Sequence, residues 1–232
     1  MKVRLFLFLL SLLCLSPFAL HAQVTVVSPA PAPGQIVEVR TFNTADVQRQ
    51  LSMVPRMIVA TPVVAVPATN VPVPAPTVQT TTTTTVVETP GQPRRVYNSE
   101  RSVVIVEEQG QSVELPYVTL PVLFIKETAE LLDIESRFAL QEVAGVIMAL
   151  NETTPGTRFA IEGHTSTDGT DEFNLALSAS RAKRIFDELT QRYGVPASML
   201  NAQGYGENFP MYPQGNEAQM QQDRRVLVVR TK

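Results

Sequence analysis

Arg158-Phe159-Ala160-Ile161-Glu162-Gly163-His164, then Thr165-Ser166-Thr167-Asp168-Gly169, then a run through Asn174, Leu177, Arg181 and Ala182, is the stretch that decides the fold. The first piece alternates apolar and polar residues as a half-buried strand does. The second is a short polar loop. A helix opens near Asp171, with Ala182, Ile185, Phe186 and Leu189 on its inner face, and Gly194-Val195-Pro196 stops it. Loop and first helical turns gather hydroxyls, a carboxylate, an amide and a guanidinium. Such a place suits a zwitterion, with acceptors for an ammonium and Arg181 for a carboxylate.

Working outward, the same alternation of elements continues. Residues 118–125 read as a strand, with Pro121 marking an edge or a bulge. Asp133 is an N-cap candidate, and Leu140, Val143, Ala144, Ile147 and Leu150 recur at helical spacing. Pro155-Gly156 marks a turn. Downstream, residues 200–205 and 225–230 read as further strands. The order β-α-β-α-β-β predicts an α+β fold, a two-layer sandwich with helices on one face of a mixed sheet. Parallel neighbours are to be joined by right-handed crossovers. Ahead of this, residues 102–106 and 112–115 flank Gln109-Gly110 and read as a hairpin within 96–114 that leads into the domain.

Residues 1–22 have a basic lead (Lys2, Arg4), an apolar run from Leu5 to Leu15 and small residues before Gln23, the layout of a signal peptide. Its removal takes the net charge from −3 to −5 and removes Cys14 and His21. Residues 23–95 read as a disordered, extended Pro/Thr-rich linker. Eleven of the 18 prolines lie between Pro29 and Pro93, and six threonines run from Thr80 to Thr85. Proline removes a backbone donor and fixes φ, so neither helix nor central strand is favoured. Extended at ~3.1 Å per residue, the stretch 55–95 reaches roughly 120 Å. A short piece, 43–54, has the pattern of an amphipathic turn or two.

The composition excludes several classes. A net charge of −3 lacks the basic footprint of a nucleic-acid binder. With the signal removed the chain has no cysteine and one histidine, His164, so neither a disulfide framework nor a zinc site is expected. No nucleophile elbow accompanies His164. No metal or other cofactor and no catalysis are expected. Residues 23–115 lack the alternating segments of a membrane barrel.

Leu120-Pro121-Val122-Leu123-Phe124, Ile161-Glu162-Gly163-His164-Thr165 with Gly169, Asn174 with Leu177-Ser178 and Arg181-Ala182, Gly204-Tyr205-Gly206-Glu207 with Pro210, and Arg224-Arg225-Val226 fall in one order. In that order they resemble the outer membrane protein A-like (OmpA-like) C-terminal domain, over roughly residues 115–232. The resemblance implies a noncatalytic module of Gram-negative envelopes that holds the diaminopimelate stem of peptidoglycan. In the family, an Asp directly after Gly-His-Thr takes an ammonium, and an Arg fifteen residues later takes a carboxylate. Here Arg181 stands at the Arg position and Ser166 at the Asp position, with Asp168 two residues on. Asp223 replaces the family's Asn before Arg-Arg-Val, and Gln219-Met220 replaces its Gly-Arg pair.

The resemblance thus implies peptidoglycan as partner, with other envelope proteins as further partners, in the periplasm or at the outer membrane. Its site residues are Arg181, Asp168, Ser166, Thr165, Asn174, Leu177, Arg225 and Glu127. Arg224 and Arg225 alternate along a strand, so one of them at most faces the site. His164 is expected to brace the loop through hydrogen bonds. A stator-like component of a motor or transport complex uses the same module and is the alternative reading.

Overall fold

β5 (Phe159–Gly163) forms where the alternation placed it, and its partners order the sheet. It pairs in parallel with β6 (Leu200–Gly204) and antiparallel with β7 (Val226–Arg230). β7 pairs with the C-terminal end of β4 (Gln111–Leu120). The N-terminal half of β4 carries β3 (Val103–Glu108) along one edge and β1 (Arg56–Ile58) along the other, and β3 carries β2 (Arg94–Asn98). The order is β2-β3-β4-β7-β5-β6, with β1 beside β4. This computed structural model describes residues 42–58, 93–108 and 110–232, all within the unit 39–232. The signal segment, most of the Pro/Thr-rich stretch and Gln109 of the predicted turn lie outside the described residues.

The helices start at side-chain caps. Asp133 accepts the Ser136 N–H at 2.8 Å and opens α2 (Ile134–Thr153), as predicted. α3 (Asp171–Asp187) opens at Asp171 as expected, capped by the Thr170 hydroxyl, which accepts the Phe173 N–H at 3.2 Å. Asn174 is therefore free for the loop. α4 (Glu217–Asp223) was not anticipated; Asn216 and Gln219 close a capping box over its first turn. The strand predicted over 118–125 stops at Leu120, since Pro121 cannot continue the ladder.

Alternation decides what each strand residue meets. Val118, Leu120, Phe159, Ile161, Val226 and Val228 join α2 and α3 in one core. Leu115, Tyr117, Ala160, Leu227 and Val229 point the other way and pack with Tyr97, Tyr205 and Phe209. Both faces of β5 and β7 are buried, so β5 is not the half-buried strand its pattern suggested. α3 lies close on the sheet because two glycines admit it. A Cβ on Gly163 would stand 2.2 Å from the Ser178 carbonyl oxygen, and one on Gly204 would stand 2.2 Å from the Ala179 nitrogen.

The N-terminal boundary differs from expectation. α1 (Thr44–Ser52) and β1 lie in the stretch read as extended linker, yet they are part of the fold. Val47 and Leu51 enter the helix-side core. The buried Arg230 guanidinium donates to the Leu51 and Ser52 carbonyls at 3.0 Å each, satisfying the C-terminal end of α1. The lead-in also lacks a border at 115, because β4 runs through it unbroken.

Candidate functional site

Four segments meet at the C-terminal end of β5: loop 164–170, the start of α3, the turn 125–131 and residues 217–224. Glu127, at φ 59°, sits in a tight turn closed by the Ile125–Glu130 and Thr128–Ile125 backbone bonds. This turn presents the Thr128 carbonyl to Arg181, whose Nε–H donates to it at 2.9 Å. The Arg181 guanidinium lies 4.9 Å from the centre of the Phe124 ring. Only 8% of Arg181 is exposed. Its Nη1 and Nη2 have no hydrogen-bond partner among the described residues. Burial, and then repulsion from Arg224, pull its pKa below the ordinary arginine value. Leu177 stands one helical turn before Arg181, partly buried on the same face.

The loop is tied from both sides. Asn174 Nδ2 donates to the Asp168 carbonyl at 2.9 Å, to the Ser166 carbonyl at 3.3 Å and to the Glu207 carboxylate. The Thr165 N–H donates to the Gly206 carbonyl at 2.9 Å, and the Thr165 hydroxyl is buried with no partner among the described residues. Arg224 reaches the same loop. Its Nη2 pairs with Asp168 Oδ2 at 2.8 Å, and its Nε donates to Ser166 Oγ at 3.1 Å. Ser166 in turn donates to Asp168 at 3.2 Å. Glu217 binds the other side of Arg224, and hydrogen bonding to Glu217 raises the arginine pKa.

Two residues expected in the site are placed otherwise. Arg225 shares the strand face of Leu227 and Val229, away from Arg224. It pairs with Asp223 at 3.2 Å, donates to the Phe209 carbonyl at 3.0 Å and faces the Tyr97 ring. Glu127 is exposed, and its one ion pair among the described residues is with Lys126, 3.6 Å away. The sequence names Arg225 for the site, yet Arg224 is the member of the pair that meets the loop.

The opposite face of the sheet holds a buried polar cluster. Glu162 is fully buried and accepts from Arg95 at 2.6 Å and from the Tyr97 hydroxyl at 2.8 Å. Burial raises the Glu162 pKa despite these partners. His164 is sandwiched between Tyr97 and Tyr205, with ring centres 5.3 and 5.6 Å away. Neither of its ring nitrogens has a hydrogen-bond partner among the described residues, so it supports the loop by packing and not through the expected hydrogen bonds. Burial, then Arg225 and Arg95, push its pKa well below the usual imidazole range.

Residues 123–224 match the OmpA family. The chain is 34% identical over 80 residues to the peptidoglycan-associated lipoprotein of Pasteurella multocida, which covers 34% of this chain and 53% of that protein. It is 46% identical over 57 residues to outer membrane porin F of Pseudomonas aeruginosa, covering 25% of this chain and 16% of the porin. Among solved structures, the peptidoglycan-associated lipoprotein of Burkholderia pseudomallei is 28% identical, with 47% of this chain and 88% of that one covered and a TM-score of 0.42. The chain thus spans about half or less of these two curated relatives.

Proposed function

The C-terminal part of this chain is an OmpA-like domain, and from that premise we propose that the protein is a noncatalytic cell-wall anchor that grips a carboxylate of the peptidoglycan stem peptide with Arg181. The observation that carries this is the state of that guanidinium. It is buried on the Phe124 ring and aimed by a bond from Nε to the Thr128 carbonyl, while both terminal nitrogens have no partner among the described residues. A planar guanidinium with two open nitrogens matches the two oxygens of a carboxylate. Fixing it before the ligand arrives lowers the entropic cost of binding.

The other residues serve that grip. Asn174 and the Thr165 backbone hold the loop against α3 and the Gly206 turn. Leu177 forms the wall beside Arg181. Asp168 and Ser166 line the mouth with Arg224. Arg225 acts through the far-face cluster, and Glu127 shapes the turn that offers Thr128. Placement in the periplasm or at the outer membrane, with peptidoglycan and other envelope proteins as partners, follows from the same reading.

The test is co-sedimentation of the full chain with purified sacculi. The wild-type chain pellets with them, and Arg181→Ala stays in the supernatant. Equal pelleting of the two proteins removes the assigned site.

A further inference from the structure

The site is uneven in its charges. Asp168 Oδ2 is held by Arg224 at 2.8 Å and by the Ser166 hydroxyl at 3.2 Å. The Ser166 oxygen is itself taken by Arg224 Nε at 3.1 Å. Glu217 is spent on the same arginine, and Glu207 on Asn174. Asp168, Glu207 and Glu217 therefore each already have a partner, while the cation Arg181 keeps two nitrogens without a partner among the described residues. A ligand ammonium would have to compete with Arg224 and the Ser166 hydroxyl for the Asp168 oxygen that they already hold.

From this arrangement we infer that the pocket reads a single carboxylate and is indifferent to an amino group on the same carbon, with Arg224 the residue that sets this specificity by occupying Asp168 and Ser166. The ligand class is an aliphatic side chain ending in a carboxylate. Arg224 is a positioning residue here, acting through Asp168. The inference rests on the reading that Arg181 holds a stem-peptide carboxylate, and the test separates the two.

The experiment titrates the full chain with two soluble stem tripeptides. One carries diaminopimelate. The other carries 2-aminopimelate, which keeps the terminal carboxylate and has hydrogen in place of the far amino group. The wild-type chain binds both within about threefold. Arg224→Gln frees Asp168, and a preference for the diaminopimelate peptide of about tenfold or more emerges. A wild-type loss of about tenfold on removal of the amino group overturns the inference and leaves the cell-wall reading intact. Failure of the wild-type chain to bind either peptide removes both. If Arg224→Gln loses both peptides equally, Arg224 holds the ligand itself and its assigned role falls. Circular dichroism of Arg224→Gln and of Arg224→Lys separates that result from loss of fold.

Discussion

Arg224 and Arg225 are neighbours in sequence and end on opposite faces of the sheet. Side-chain alternation makes that separation legible from the sequence. Which arginine faces the loop was not, because it depends on how β7 is registered against β4 and β5. Glu162 posed the same difficulty. Its strand read as half-buried, so the carboxylate belonged in water. It is buried because Arg95 and Tyr97, more than sixty residues away, cover it. No local pattern announces such a partner. His164 yields a pH prediction. A histidine whose folded pKa is depressed stays neutral in the fold while the unfolded chain takes up a proton below pH ~6.5. Stability from this residue is therefore complete above that pH and is lost as pH falls, by up to about 1.4 kcal/mol per unit. Glu162, with a raised pKa, contributes the opposite slope above pH ~4.5, so the comparison must be between variants. His164→Phe keeps an aromatic ring between Tyr97 and Tyr205 and should flatten the fall in urea midpoint between pH 7 and 5.5. An unchanged slope would remove the neutral-histidine assignment.

At the scale of elements, the helices and strands of the C-terminal half were readable because their apolar spacing is local. Leu140, Val143, Ala144 and Ile147 all reach the core as that spacing requires. The segment 43–58 was harder to place. It showed an amphipathic pattern, but its helix is short and the proline-rich sequence after it pointed to linker. What holds it is tertiary: Leu51 in the core, Arg230 on the last carbonyls, and β1 on β4. Leu51→Ala should lower unfolding free energy by about 2–5 kcal/mol. Arg230→Leu should cost about 1.5–3 kcal/mol or more, since it strips two carbonyls of a charged donor. Urea titration of the full chain checks both, and a change below about 0.5 kcal/mol in either would show that α1 docks weakly. Gly163→Ala tests the α3–β5 approach. The added methyl meets backbone, not a flexible side chain, so a lowered melting temperature and weakened sacculus binding should appear together, because α3 carries Arg181.

For the whole molecule, the placement of β1 and β2 changes what residues 59–92 can do. Ile58 pairs with Ser112, Ser112 with Glu107, and Glu107 with Arg94. The two ends of that stretch therefore leave one sheet about three strand spacings apart, roughly 14 Å. The ~120 Å reach read from sequence assumed that the stretch joins the domain to something else. Both of its ends belong to the same fold. A protease site inserted between residues 59 and 92 and then cut should leave two fragments that migrate together on a native gel and separate in urea. Separation without denaturant would show that α1 and β1 are not held by the domain.

The central claim is that Arg181 carries the grip on the cell wall. The direct measurement is the dissociation constant of a diaminopimelate stem tripeptide for the full chain and for Arg181→Gln, by calorimetric titration. Loss of a hydrogen-bonded charge contact, about 1.5–3 kcal/mol, predicts weakening by roughly ten- to more than a hundredfold. Equal constants for the two proteins would contradict the account.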